Sequence, residues 1–204
     1  MLDNANARRS VARFVDPVAK LLLKLKVTPD GITWFGCGIT VFIAIAFLAQ
    51  GNFLIGAILF GAFSLIDLLD GTMARMLGTA GPWGAFLDST LDRISDAAVL
   101  CALVYFYVNS DAANSQLAVV AGIISLVMSL MTSYARAKAE SLDAKCTVGI
   151  AERAERNIIV WIALLISGLF TDVMPYALAL LALVSTITVI QRMVFVRKQL
   201  VKQA

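Results

Sequence analysis

A run of twenty residues without a single charge, Gly31 to Gln50, sets the terms for this chain. A helix needs about 20 mostly apolar residues to cross a hydrocarbon core ~30 Å thick. Leu54 to Ile66 is also apolar but short, and reaches spanning length only by continuing through Asp67, Leu68, Leu69 and Asp70. Ala97 to Val108 behaves likewise, preceded by Asp88, Asp92 and Asp96. Leu117 to Ala135 is a plain span, and Ile158 to Phe170 and Val173 to Ile190 supply two more, divided near Thr171 and Asp172. The expectation is an all-α integral membrane protein with six transmembrane helices. Composition agrees, at 60% hydrophobic and 15% charged, where soluble domains average about 45–50% apolar and about 25% charged. It excludes a disordered chain, a nucleic-acid-binding arm and a secreted disulfide scaffold, so no nucleic-acid partner is expected.

Charge distribution turns the count into a topology. All 17 Lys and Arg residues fall before the first span, in the 75–93 and 136–156 regions, or from Arg192 onward. The turns near residues 50–53, 108–116 and 170–173 carry none. By the positive-inside rule, both termini are expected in the cytoplasm of a multi-pass cell-membrane protein. Ahead of the first span, Ala7, Val11, Phe14, Val15, Val18, Leu21, Leu22 and Leu25 recur at helical spacing, with Arg8, Arg9, Arg13, Lys20 and Lys24 between them. That pattern predicts an amphipathic helix over residues 1–27 in the cytoplasmic interface, followed by a six-helix bundle over 31–197, in a single domain over 1–204. No cleavable signal is expected.

The aspartates carry the chemistry. A carboxylate inside a span costs about 2.5–3.5 kcal/mol at the helix centre and less near its end, so such acids are functional candidates. Asp67 and Asp70 are three apart and share one side of a helix with Gly71 and Ala74. On the next helix, Gly84, Asp88 and Asp92 step by four. Gly78, Gly81 and Pro82 between them suit a tight turn, and an antiparallel hairpin would bring the two pairs of acids face to face. The chain has no histidine, and Cys37, Cys101 and Cys146 lack metal-ligand spacing. An all-oxygen set suits Mg²⁺, Mn²⁺ or Ca²⁺, and four close negative charges favour two ions over one. The alternative is an acid network paired with Arg75, Arg93 and backbone donors.

Asp67-x-x-Asp70-Gly71-x-x-Ala74-Arg75, eight residues, then Gly84-x-x-x-Asp88-x-x-x-Asp92 resembles the complete signature of the CDP-alcohol phosphatidyltransferase family. Eight specified residues in 26 positions arise by chance on the order of 10⁻⁹ per start. The resemblance covers essentially the whole chain and implies transfer from a CDP-linked lipid to an alcohol, with release of CMP. It implies two Mg²⁺ ions, with Mn²⁺ as a substitute. Asp67 and Asp88 would bridge both ions, Asp70 would ligate one, and Asp92 would ligate the other and act as general base. It also implies a nucleotide site at Gly71, Ala74, Arg75, Gly81, Gly84 and the start of the first span, Pro29, Asp30, Gly31, Ile32 and Thr33. Thr28 as N-cap and Pro29 at N1 would serve helix capping equally, and Gly81 suits a turn. A homodimer is the assembly the family suggests.

The signature does not specify the acceptor alcohol. Arg136 and Lys138 close the fourth span, Arg153 and Arg156 open the fifth, and Arg192 ends the sixth. Together they would make a site for a phosphorylated acceptor, because arginine grips phosphate as a bidentate fork. Ordinary positive-inside anchoring, with salt bridges to Glu152 and Glu155, is the other account. The Glu152-Arg153-x-Glu155-Arg156 segment and the Gln191-Arg192 pair resemble actinobacterial phosphatidylinositol-phosphate synthases, which join CDP-diacylglycerol to inositol phosphate. Glycerol 3-phosphate, the acceptor of phosphatidylglycerophosphate synthase, is the alternative within the family. Outside it, intramembrane acids also suit a cation transporter.

Overall fold

In a computed structural model, residues 5–64 and 67–203 are described; the side chains of residues 5–14, 67–68 and 202–203 lie outside that description. Among the described residues the chain is helical, without strands. Its α-helices are α1 (Ala5–Lys24), α2 (Pro29–Ala46), α3 (Phe53–Phe63), α4 (Asp67–Leu77), α5 (Pro82–Val108), α6 (Ser115–Glu140), α7 (Arg153–Leu169) and α8 (Met174–Gln203), with a 3₁₀ turn at Leu48–Gln50. The chain divides into two compact units, Met1–Phe42 with Leu59–Ser95, and Ile43–Ile58 with Asp96–Ala204.

Among the described residues, three stretches are long and apolar enough to cross a membrane: Pro29–Gln50, Ser115–Glu140 and Met174–Val201. The protein is membrane-integral. The remaining expected spans are built differently. The helix expected to run from Leu54 through Asp70 is described as two elements, α3 ending at Phe63 and α4 beginning at Asp67, with Ser64 in a turn and residues 65 and 66 outside the description. Helix α5 is 27 residues long, but Asp88, Asp92 and Arg93 occupy its first half and Asp96 comes just past its middle.

In the first unit α1 packs against α4, with Ala19, Ile32 and Met73 buried together and Leu22, Leu23, Val27 and Leu69 around them. The side chains of Ala7, Val11 and Phe14, which figure in the expected amphipathic face, lie outside the description. Of the described part, Leu22 turns toward the protein, whereas Val18, Leu21 and Leu25 are exposed. The turn after α1 is made by Lys26 at φ 60°. There Val27 N–H donates to Leu22 O and Lys26 N–H to Leu23 O, closing a Schellman motif. Helix α2 then starts as its sequence predicts, with Thr28 Oγ1 accepting from Gly31 N–H at 3.1 Å and Pro29 at N1. Cys37 of α2 packs with Leu87 and Leu91 of α5.

In the second unit α6 packs along α8, and α7 against α8. The buried face of α6 is small: Ala118, Ala121, Gly122, Ser125 and Ser129. Helices in lipid gain little from hydrophobic burial against one another, so they associate where small residues let backbones approach. Ser125 Oγ spans the seam to donate to Leu178 O at 3.0 Å. Gly168 on α7 makes the same allowance for α3, since a Cβ there would stand 2.5 Å from Leu54 N. Nearby, Trp161 Nε1 donates to Ala57 O at 2.9 Å.

Candidate active site

The expected metal ligands come from the start of α4 and the first half of α5. Asp67 opens α4, and its side chain lies outside the described residues. Asp70 follows on the next turn and is 8% exposed. Its carboxylate accepts from Thr33 Oγ1 at 2.8 Å and from the Gly71 N–H. A residue expected at the nucleotide thus orients a residue expected at the metal. Asp88 is exposed and Asp92 half-buried, the latter 3.7 Å from Arg93 Nη1. Arg93 also donates to Ser89 O one turn back. Among the described residues, no three Asp, Glu or Cys side chains gather closely enough to hold a metal. The expected quartet includes Asp67, so its convergence falls outside what is described. The donor chemistry itself suits hard divalent cations, because it is carboxylate throughout.

The signature glycines have room around them. A Cβ at Gly71 would meet, among the described residues, only the flexible end of Arg75 at 3.4 Å, and one at Gly84 would meet nothing within 4 Å. Among the described residues, packing therefore does not require glycine at either position. Arg75 is exposed and its Nη2 donates to Thr72 Oγ1 at 3.0 Å. Gly81 is exposed in the turn before α5. Asp30, on the first turn of α2, accepts from Trp83 Nε1 at 2.8 Å. The sequence offered no signal for that tie between α2 and α5.

The five basic residues expected at the acceptor separate into two kinds. Arg136 and Lys138 are exposed at the end of α6, and Arg136 Nε pairs with Glu140 at 2.9 Å, one turn on. Arg153, Arg156 and Arg192 are drawn inward. Arg153 Nε lies 3.4 Å from Asp96 Oδ1, and Arg156 Nη2 lies 4.0 Å from Asp96 Oδ2. Arg156 is 5% exposed and Arg192 3%. Arg192 donates from Nε to Val148 O at 2.9 Å and from Nη1 to Thr132 O at 2.6 Å. The intervening segment is pinned at both ends of Ala151, whose N–H donates to Thr188 Oγ1 and whose carbonyl accepts from Arg156 Nη1. An open cleft of about 630 Å³ runs between residues 147–150 and α8, with Val148, Ile150, Val194 and Phe195 among its apolar walls. None of the three inward arginines lines it.

Asp96 had no role in the sequence-based site. The signal was present in its four-residue step beyond Asp88 and Asp92, but its partners lie 57 and more residues away. Thr188 left no such signal.

The sequence model of the CDP-alcohol phosphatidyltransferase family matches residues 26–191. The chain belongs to this family. Membership makes it a transferase and sets aside the cation-transporter alternative. Its relatives in the family include a phosphatidylinositol phosphate synthase of Cutibacterium acnes, 41% identical over 200 residues, covering 94% of this chain and 96% of the relative. An archaetidylinositol phosphate synthase of Methanothermobacter thermautotrophicus is 38% identical over 194 residues, covering 95% and 93%. The crystal structure of Mycobacterium tuberculosis phosphatidylinositol phosphate synthase with CDP-DAG bound superposes with a TM-score of 0.85 at 37% identity, covering 91% of this chain and 94% of that one. The same enzyme in complex with manganese and citrate gives a TM-score of 0.83, covering 88% and 87%.

Proposed function

We propose that this phosphatidyltransferase moves the phosphatidyl group of CDP-diacylglycerol onto a hydroxyl of inositol phosphate, forming phosphatidylinositol phosphate and CMP. The observation that carries the acceptor is the burial of Arg156 and Arg192 and the half-burial of Arg153. Arginines that merely anchor a membrane protein keep their charge in water, as Arg136 and Lys138 do. Guanidinium groups held in place below the surface can give charge-assisted hydrogen bonds, and a phosphomonoester supplies oxygens to accept them. The whole-chain likeness to phosphatidylinositol phosphate synthases points to the same acceptor.

Asp67, Asp70, Asp88 and Asp92 would hold divalent metal, two Mg²⁺ ions with Mn²⁺ as a substitute. When bound, such ions neutralise charge developing on the leaving CMP. Asp92 takes the proton from the acceptor hydroxyl. The alcohol oxygen bonds to the phosphatidyl phosphorus as the bridging bond to CMP breaks. Pro29, Asp30, Gly31, Ile32 and Thr33, with Gly71, Ala74, Arg75, Gly81 and Gly84, would receive the nucleotide, the glycines admitting it close to backbone. Arg153, Arg156 and Arg192 would orient the acceptor through its phosphate, with Arg136 and Lys138 contributing longer-range attraction.

The same reading places six spans in the cell membrane, with both termini and the site cytoplasmic, and a homodimer as the assembly. The exposed apolar residues Val18 and Leu21 on α1 and Leu25 just after it, beside exposed Lys20 and Lys24, support an interfacial helix. The deciding experiment supplies CDP-diacylglycerol and measures CMP release with inositol phosphate, glycerol 3-phosphate, inositol and serine in turn. Turnover confined to inositol phosphate is expected. Preference for glycerol 3-phosphate would replace the acceptor, and turnover with unphosphorylated inositol would remove the role given to the arginines.

A further inference from the structure

Asp96 pairs with two of the inward arginines at once. Its carboxylate divides its oxygens, Oδ1 toward Arg153 Nε at 3.4 Å and Oδ2 toward Arg156 Nη2 at 4.0 Å. Exposure is graded across the trio: the Arg153 side chain is 29% exposed, Asp96 17% and Arg156 6%. Arg156 is held from a second direction by Ala151 O, at 3.3 Å from its Nη1. The sealed arginine is thus part of the frame, and the more open one stands at its edge.

Two guanidinium groups brought together repel, and each ends a long stem with many rotamers. A carboxylate placed between them lowers the repulsion and selects one orientation of each plane. Its contact with Arg153 is at Nε, one of the five N–H donors of that guanidinium. Ordering the side chain beforehand removes an entropic cost that ligand binding would otherwise bear.

We infer that Asp96 is a positioning residue for the acceptor, fixing Arg153 beside the framed Arg156 in the orientation that receives its phosphate. This rests on the reading that the acceptor is a phosphorylated alcohol. The full-length enzyme, in detergent with saturating metal, is assayed as the parent and as Asp96→Asn, Asp96→Glu, Arg153→Gln and the double variant Asp96→Asn/Arg153→Gln. Asp96→Asn is expected to raise KM for inositol phosphate about tenfold, with KM for CDP-diacylglycerol unchanged and kcat within about twofold. The double variant should be little worse than Arg153→Gln alone, because both changes disable the same arginine. Asp96→Glu, which keeps the charge, should recover part of the loss, and it carries the same comparison where Asp96→Asn does not fold. A parallel rise in both KM values, full additivity in the double variant, or no change in acceptor KM would overturn the inference. Arg153→Gln separates the two failures. An acceptor KM raised by Arg153→Gln but not by Asp96→Asn defeats the positioning role alone, whereas no effect of Arg153→Gln defeats the phosphorylated-acceptor reading beneath it.

Discussion

In the first unit Asp70, Gly71, Ala74 and Arg75 sit within six positions of one helix, while in the second unit Arg153 and Arg192 act through contacts that span 57, 44 and 60 residues. The glycines differ in parallel. A Cβ at Gly84 would meet nothing within 4 Å among the described residues, whereas one at Gly168 would strike the backbone of Leu54 and one at Gly122 would strike the Val104 side chain. The first unit keeps space beside its acids, and the second uses its small residues to bring helices together. Substitutions beside the acids of the first unit should therefore disturb chemistry more than folding, and those in the second unit should mix the two.

The largest effect expected under that contrast is on the acids. Removing divalent metal with EDTA should abolish CMP release, and Mg²⁺ or Mn²⁺ should restore it. Asp92→Asn should lower kcat by about 10²–10⁴-fold, the contribution of a positioned general base, with the thermal melt of the detergent-solubilised protein little changed. Undiminished turnover after exhaustive chelation would break the proposal for the first unit.

Next in size, Arg192→Gln tests whether the second unit mixes its roles. Arg192 satisfies two backbone carbonyls, Val148 O and Thr132 O, and an abandoned buried acceptor costs about 1–3 kcal/mol. The variant should melt at lower temperature and also raise KM for inositol phosphate by roughly ten- to a hundredfold. Arg153→Gln, at a more open position, should raise that KM with a smaller loss of stability. Equal melting temperatures for the Arg192 variant and the parent would show that its hydrogen bonds add nothing to the fold.

A pair of glycine variants sharpens the comparison further. Gly168→Ala should destabilise the protein by about 1–3 kcal/mol, the usual penalty for overpacking, because the Leu54 backbone must move. Gly71→Leu should leave the melt nearly unchanged while weakening CDP-diacylglycerol binding. If the two variants lowered stability alike, the space at Gly71 would belong to packing after all. The smallest effect belongs to the α2 cap: Thr28→Ala should cost about 1 kcal/mol in stability, read from the melt with all KM values near those of the parent.

Much of this was legible beforehand. The apolar runs, the helical spacing of the signature and the Thr28 cap are local properties, and a helix displays them wherever it packs. Gly78 after α4 was expected in a turn and adopts φ 67°. The turns after α1 and α6 were hidden, because Lys26 and Asp143 take φ 60° and 56° without being glycine. There the chain reversal and its Schellman hydrogen bonds select a conformation that these residues do not prefer on their own.

The sequence by itself determined that this chain is an all-helical membrane protein and which acids carry the family's signature, since both follow from hydrophobic length and from spacing at 3.6 residues per turn. Tertiary structure decided which basic residues turn inward. Arg136 near the end of α6 and Arg192 within α8 are the same amino acid in two apolar helices, yet one remains exposed beside Glu140 and the other is buried against Val148 and Thr132. A charge leaves water only where distant groups replace the hydrogen bonds it gives up, and those groups come from elsewhere in the chain.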